Sequence, residues 1–551
     1  MDHIKSIITI KVIALVVGLV LTSVYHGQGA TTSCLHNKGW SQSRFFLSAY
    51  NPPYAWHGPP YKDSVFLYYS NANFDTLLWV RDDQALMEKV HRFGFRYMLD
   101  ISSLIGGDLL TGGPNEAPPE IMEDMLQNLG DVIEKYKDDP YLVGYYICDE
   151  PYPSAFHNIA VVTQRIREKD PSRPFLVNLW PYFENEIGDD DYIEYFINVT
   201  KPDLLCTDRY NFFDGWDENE EYLQQLDRIR RHALRHNLPF FFIIQAVGTK
   251  GTSVGTPGSG ADEYLQWRTP SRAEHRWLVY SALTYGVHGI IWFHWDHEWG
   301  VTGNPDREKV YASIRDINAE IAQLKEIMVH LTTTNVQHTD DRDVASEVNG
   351  GNYIKTSGNA SLIVGFFKDN DGNENHFMVM NKNYKTPVTV VVTLNSPLST
   401  LEFFSVVKNQ WEAVPFAILD TESKFTIYLR EGGGKLFRFT KANSLGDKRA
   451  IYNEGFEAGK QFCIDNPTSC GIVASASYEA GYDKGYEDGY SACHVLCFQE
   501  RGGECATFDL NSNVINIPCF FLEGLTYWLQ FNIINYSPLQ MELSGYGQTG
   551  Y

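Results

Sequence analysis

A chain of 551 residues is too long for one ordinary domain, and 43% hydrophobic with 21% charged residues is the balance of a globular protein with a large core. Its formal charge of −24 argues against nucleic acid or an anionic membrane as partner, since both need basic patches. Aromatic residues reach 14%, which is high, and exposed aromatic faces can serve as stacking platforms for sugars.

The N-terminus carries Lys5 and Lys11, the apolar run Ile13 to Leu21, and small residues at Gly27, Gly29 and Ala30. This is the layout of a secretory signal peptide cleaved near Ala30, and the apolar run is short for a membrane span. Thr31 stands three places before Cys34, where a lipoprotein signal wants an apolar residue, so lipidation is not expected. The expected location is secreted or periplasmic, with no membrane span after cleavage. Cys463, Cys470, Cys493, Cys497, Cys505 and Cys519 cluster near the C-terminus with His494 as the one nearby histidine, so disulfides are expected there rather than zinc.

From residue 43 short apolar runs alternate with amphipathic segments. Arg44 to Tyr50, Phe74 to Trp79, Phe95 to Ile101, Tyr141 to Ile147, Pro174 to Leu179, Asp203 to Thr207, Pro239 to Ile244 and Gly289 to Phe293 read as eight strands. Most are continuously apolar, as parallel strands buried on both faces are. Between them Tyr222, Leu223, Leu226, Ile229 and Ala233 form one helical stripe, and Val310, Ile314, Ile317, Ile321, Leu324 and Met328 another. The fold class is α/β, a (β/α)₈ barrel over 43–332 after the 1–30 signal peptide. A doubly wound open sheet would carry a Gly-rich loop after its first strand, and Asn51-Pro52-Pro53-Tyr54 is not one.

Beyond the last helix the period changes. Ser361 to Phe367, His376 to Met380, Val388 to Leu394, Leu401 to Val407, Lys424 to Leu429 and Lys435 to Phe439 predict an antiparallel β-sandwich over 333–442. The acidic stretch Asp369 to Glu374 reads as a hairpin turn rather than a calcium loop. Residues 443–551 form a Cys-rich C-terminal module with a repeat, Gly481-Tyr482, Gly485-Tyr486 and Gly489-Tyr490, for which attachment to a sugar, a cell wall or a partner is a hypothesis.

In such a barrel active residues sit at the C-terminal ends of the strands. Those ends carry Asn51, Trp79, Asp100, Asp149 with Glu150, Asn178 with Trp180, Asp208 with Tyr210, Gln245, and then Trp292, His294, Trp295 and Asp296. Polar groups interleaved with tryptophans describe a wet, aromatic-walled cleft, which suits a carbohydrate. Breaking a glycosidic bond requires a proton on the leaving oxygen, and a carboxyl with raised pKa supplies it. Glu150, between an apolar strand and Pro151, is the candidate acid; a salt-bridged rim glutamate is the bland alternative. His294, Asp296 and His297 are adjacent or near-adjacent along a strand that points them to both faces, so no metal is expected, and no cofactor either. Cys148 and Cys206 read as buried apolar residues. The Gly/Ser/Thr-rich loop Thr249 to Gly260 is a lid or an insertion, and Asn198, Asn359 and Asn535 sit in sequons.

Gly144-Tyr-Tyr-Ile-Cys-Asp-Glu-Pro151 resembles the fourth-strand motif of clan A glycoside hydrolases. Ser271 to Trp292, with Glu274, Arg276, Tyr280 and Tyr285-Gly286, resembles the passage from helix seven to strand eight of β-galactosidase-like barrels. Gly433-Gly434-Lys435-Leu436-Phe437-Arg438 resembles the closing strand of the appended β-sandwich. The resemblance implies that Glu150 is the acid/base and that a nucleophilic Glu ends strand seven. Gln245 stands there instead. Three readings stay open. Asp296 or Glu298 acts from the eighth loop. The enzyme inverts, with Asp208 or Asp296 activating water across roughly 6.5–9.5 Å. Or the substrate supplies the nucleophile, since Asp149-Glu150 resembles the pair of substrate-assisted β-N-acetylhexosaminidases. Outside hydrolysis, the alternatives are a non-catalytic carbohydrate-binding protein on a degenerate barrel and a polysaccharide lyase using Tyr210 or His294 as base.

Overall fold

The computed structural model describes residues 36–37, 40–50, 52, 59–111, 119–181, 189–248, 267–295, 301, 306–340, 353–356, 360–419, 421–442, 507–509, 514–520, 526–537 and 540–549. The expected signal peptide, Asn51, the 249–260 loop, Asp296, His297, Glu298, Asn359, the glycine–tyrosine repeat and the cysteine cluster up to Cys505 lie outside them. The chain divides into two compact units, Met1–Ala442 and Asn443–Tyr551.

All eight expected barrel strands are present: β1 (Phe46–Ala49), β2 (Thr76–Val80), β3 (Arg96–Asp100), β4 (Leu142–Asp149), β5 (Phe175–Asn178), β6 (Leu205–Asp208), β7 (Phe240–Gln245) and β8 (Gly289–Phe293). They alternate with α1 (Asp63–Asn71), α2 (Gln84–Phe93), α3 (Pro119–Tyr136), α4 (Phe156–Lys169), α5 (Asp189–Thr200), α6 (Asn219–His236), α7 (Arg272–Tyr285) and α8 (Arg307–Glu320). Local chemistry sets the helix ends. Asp83 caps α2 by accepting from Leu86 N, and Gly94 ends it at φ 71°. Ser271 and Glu274 form a capping box on α7.

The strands form two parallel sheets, ordered β1-β8-β7-β6 and β2-β3-β4-β5. Between β5 and β6 a parallel bridge pairs Leu179 with Thr207, and Leu179 N donates to Cys206 O at 2.9 Å. Between β1 and β2, Asp75 N donates to Leu47 O at 3.3 Å and Ser48 Oγ to Thr76 O at 2.8 Å. One apolar cluster takes a residue from every strand: Phe46, Leu78, Met98, Tyr146, Leu176, Cys206, Ile243 and Ile291. The intervening positions, Leu47, Leu77, Leu99, Val177, Leu205, Ile244 and Ile290, pack outward with the helices. This double burial is why the strands are continuously apolar.

Residues 332–441 form two antiparallel sheets. In chain order the strands are β9 (Thr332–His338), β10 (Ile354–Thr356), β11 (Leu362–Lys368), β12 (Glu374–Asn381), β13 (Val388–Leu394), β14 (Leu398–Ser405), β15 (Gln410–Ala413), β16 (Ala417–Leu419), β17 (Glu422–Leu429) and β18 (Gly434–Lys441). One sheet is ordered β9-β11-β12-β18-β14-β15 and the other β10-β13-β17-β16. Val364, Phe377 and Phe437 of the first meet Val392, Phe425 and Ile427 of the second in a core between them. The first sheet's other face, with Ile363, Phe367, Met378 and Leu436, joins the core between the parallel sheets and their helices. There α7 is buried from Glu274 to Tyr285. Trp277 Nε1 donates to Lys382 O at 2.9 Å, Arg276 to Glu431 O at 3.0 Å, and Tyr285 bonds His338 at 2.9 Å. The residues behind the β-galactosidase-like resemblance in α7 thus hold the parallel and antiparallel sheets together. At Asp369–Glu374 a turn is closed by Asp369 Oδ1, which accepts from the backbone of Asp371 and Asn373.

In the second unit the described residues form an antiparallel sheet of β19 (Thr507–Asp509), β20 (Val514–Phe520), β21 (Thr526–Ser537) and β22 (Gln540–Thr549), paired in chain order. Cys519 lies on β20 and Asn535 on β21.

Candidate active site

The end of β4 departs from regular alternation. Tyr146 faces the inner cluster, but a register shift between Tyr146 and Cys148 sends both Ile147 and Cys148 to the helix side. Asp149 then returns beside Asn178, its partner in register on β5. Glu150 follows at φ 44°, in the left-handed region, with its N–H donating to Asn178 O at 2.8 Å. A non-glycine residue held there costs roughly 1–3 kcal/mol, a strain that concentrates at functional sites. Trp79 at the end of β2 is the other such strand-end residue, at φ 57°, beside a register shift between Leu77 and Val80.

These turns bring three carboxyl groups together. Asn178 Nδ2 donates to Asp149 Oδ1 at 2.8 Å, and the Cys206 thiol lies 4.0 Å from Asn178 Oδ1. Tyr50 and Tyr146 share a hydroxyl–hydroxyl bond of 2.8 Å beneath them. Burial, then the negative charges of Asp208 and Asp149, push the Glu150 carboxyl up to about 9. Burial and the Asp149 charge push Asp208 up to about 7, while hydrogen bonding from Tyr210 and Asn178 pulls the other way. Asp149 keeps an exposed surface although protein crowds it on several sides; that crowding raises its carboxyl, and hydrogen bonds from Asn178 and Tyr50 lower it. Asp208 Oδ1 is buried with no hydrogen-bond partner. Two groups that favour protonation next to a third that is open to solvent can pass a proton to a bound molecule and take one from water.

Aromatic rings line the same strand ends. Tyr210 stacks on Phe293 at 4.6 Å, and Trp267 stands edge-on to Tyr210 at 4.8 Å. Trp79 packs edge-on to Tyr50 at 4.8 Å, and Trp180 lies 6.1 Å from Tyr152.

Among the solved structures that this chain resembles are glycoside hydrolases. A glycoside hydrolase family 5 mannosidase from Rhizomucor miehei is 11% identical, covers 51% of this chain and 94% of its own, and gives a TM-score of 0.36. Alpha-L-fucosidase isoenzyme 2 from Paenibacillus thiaminolyticus is 10% identical over 73% of this chain and 100% of its own, with a TM-score of 0.44. A glycoside hydrolase family 5 protein from Bacteroides vulgatus is 10% identical over 73% and 90%, with a TM-score of 0.43. No protein-family model matches the chain, and no curated protein matches it. Similarity at this level adds nothing to the chemistry, which stands on the side chains.

Of the residues expected at the site, Glu150, Asp149, Asp208, Asn178 and Tyr210 come together. Trp79 and Trp180 lie half-buried nearby. Three others are placed differently. Gln245 is fully buried: its Nε2 donates to the carbonyls of Phe212 (3.1 Å), Val247 (3.3 Å) and Arg268 (2.9 Å), and its Oε1 accepts from Phe212 N (3.0 Å). Its amide is fully occupied by backbone and has nothing left for a substrate. Trp292 faces outward, donating to Asn318 on α8 at 3.0 Å and lying edge-on to His275 on α7. Trp295 packs among Tyr68, Tyr69 and Phe74. Strand alternation accounts for Trp292, since Ile291 is the inward residue. His294 is buried and lies edge-on to Phe293.

Tyr50, expected at the end of the first strand, points inward by the period of two from Phe46 through Ser48, whereas Tyr146 and Trp267 were not foreseen as site residues. Trp267 had no such signal; it arrives from beyond the 249–266 stretch by bridging to Phe213. A separate cavity of about 280 Å³, lined by Trp40, Phe46, Thr76, Arg96 and Phe241, sits at the opposite, N-terminal ends of the strands, where conservation of structure rather than chemistry is the rule.

Proposed function

We propose that this protein is a glycoside hydrolase acting on an oligo- or polysaccharide, with Glu150 as general acid at the mouth of a closed (β/α)₈ barrel. The hydrogen bonds joining β1 to β2 and β5 to β6 support closure. The observation that carries the chemistry is a carboxyl kept protonated at neutral pH, on a strained turn, beside two further carboxyls and a set of aromatic rings. Protonation of the leaving oxygen is the difficult part of glycoside cleavage, and Glu150 retains its proton where an ordinary glutamate has lost it.

Asp208 is the second carboxylate in this reading. Its pKa near neutrality suits a base that gains a proton from water as Glu150 gives one up. The occupied amide of Gln245 leaves no nucleophile at the end of β7, which favours water activated by Asp208. The open surface of Asp149 next to Glu150 supports a second route, in which Asp149 directs a nucleophile carried by the substrate. A lyase would need a cation to hold a uronate, and Arg209 is buried in an ion pair with Glu218. Export after loss of residues 1–30, and attachment through 443–551, belong to the same proposal.

Glu150→Gln and Asp208→Asn assayed on chromogenic glycosides and on plant and marine glycans test it, with the anomer of the first product read by NMR. Inversion supports Asp208, and retention that requires an acetamido group supports Asp149. Undiminished turnover by Glu150→Gln would overturn the assignment, and sugar binding without turnover by the native chain would leave the degenerate-barrel alternative.

A further inference from the structure

Among the described residues, three aromatic side chains are strongly exposed: Tyr152, Trp216 and Tyr428. Two of them stand on loops that leave the ends of barrel strands, Tyr152 two residues beyond Glu150 and Trp216 eight beyond Asp208. Trp216 is 50% exposed, yet it is not loose. Its ring lies parallel to that of Phe213, at 6° and 4.1 Å between centroids, and Phe213 is buried. Phe213 N donates to Trp216 O at 3.0 Å, Phe212 bridges to Asp217, and Gly215 makes the turn at φ 91°. One side of the indole therefore rests on a fixed ring while the rest meets water.

The loop is tied to the carboxylates through rings. Phe213 bridges to Trp267, Trp267 stands edge-on to Tyr210, and Tyr210 is the hydrogen-bond donor to Asp208. Trp216 is thus an outlying member of the aromatic wall, with Trp267 and Tyr210 between it and the acid. A pre-positioned aromatic face open to water suits a ligand with an apolar face of C–H bonds, whose positive edges meet the negative π-surface. A pyranose ring is such a ligand, and holding the indole in place beforehand removes part of the ordering cost of binding it.

We propose that Trp216 is an outer sugar-stacking subsite, that Tyr152 serves the same role on the loop after β4, and that the substrate is a chain of several pyranose units rather than a mono- or disaccharide. This rests on the glycosidase reading for the chemistry at Glu150.

The test uses the full chain carrying Glu150→Gln, so that binding is measured without turnover. Titration calorimetry is run with the dimers and hexamers of β-1,4-linked glucose, mannose, xylose and N-acetylglucosamine. At least one hexamer is expected to bind about tenfold or more tightly than its dimer, in line with the two added aromatic contacts at Trp216 and Tyr152. Adding Trp216→Ala should remove most of that gain, Trp216→Phe should restore part of it, and Tyr152→Ala should reduce it. Tyr428→Ala, on the sandwich, should leave it in place. Equal binding of dimer and hexamer, an equal loss for both with Trp216→Ala, or no hexamer bound would each overturn the proposal. If the native chain turns over no glycan while the length-dependent binding holds, the catalytic reading fails and the subsite stands.

Discussion

Placing a glutamate at Gln245 supplies the carboxylate that the resemblance expects at the end of β7, and the structure predicts damage rather than a new activity. The amide donates to the carbonyls of Phe212, Val247 and Arg268 and accepts from one N–H. A glutamate keeps the acceptor; if it takes a proton it retains one donor at most. When ionised it donates to none, so the Val247 and Arg268 carbonyls lose their donor while Phe212 O keeps Arg268 N; at roughly 1–3 kcal/mol each this places the loss near 3–5 kcal/mol. With an unfolding entropy of about 2.1 cal/mol/K per residue spread over roughly 400 residues, this lowers Tm by about 4–6 °C. Scanning calorimetry at pH 7 on Gln245→Glu measures it, alongside turnover of an aryl glycoside with analysis of the product anomer. An unchanged Tm together with newly retaining hydrolysis would show that position 245 faces the substrate, and the account of β7 given above would be wrong.

Loss of the Glu150 proton donor should lower turnover of glycosides with poor leaving groups by about 10²–10⁴-fold, and of activated aryl glycosides by less. Comparable losses on both would point to a structural role. Because the Asp208 charge helps hold the Glu150 proton, Asp208→Asn should let Glu150 ionise earlier and move the alkaline limb of Glu150-dependent proton donation to lower pH, read by titrating the Glu150 carboxyl by NMR; an upward move would refute the coupling. The same groups affect stability: carboxyls whose folded pKa lies above the unfolded value favour the fold below the ordinary carboxylate range and weaken it as pH rises toward the folded value. Asp208→Asn should therefore melt above the native chain at pH 8 and level with it near pH 4; the reverse ordering sinks the argument. At Gly365 a Cβ would stand 2.0 Å from Thr284 O, so Gly365→Ala should cost about 3 kcal/mol or more and open the sandwich to limited proteolysis.

The parallel strands were legible because burial on both faces writes itself as unbroken runs such as Phe240–Ile244. In the sandwich, Thr332–His338, Ile354–Thr356, Gln410–Ala413 and Ala417–Leu419 went unseen. The first carries six polar residues in seven and pairs at a sheet margin, and the others are short, so no apolar period betrays them. At the site, position along a strand was readable but facing was not. The register shift after Tyr146 reverses the side on which Asp149 emerges, and only the paired backbone reveals it. Gln245 illustrates another limit, since an amide at a strand end serves a ligand or a neighbouring loop equally well, and the choice was made by Phe212 and Arg268, far off in the chain.

The buried helix α7 bears on how this chain can be taken apart. Its outward surface is the floor on which Met378, Met380 and Leu436 rest, and Gly432 and Gly434 approach Trp277 and Tyr280 too closely to tolerate even a methyl group. Excising residues 43–332 would leave a greasy, unsheathed rod on the fragment, prone to clumping. The antiparallel sheets and the helices of the parallel sheets thus share one core and fold as one unit.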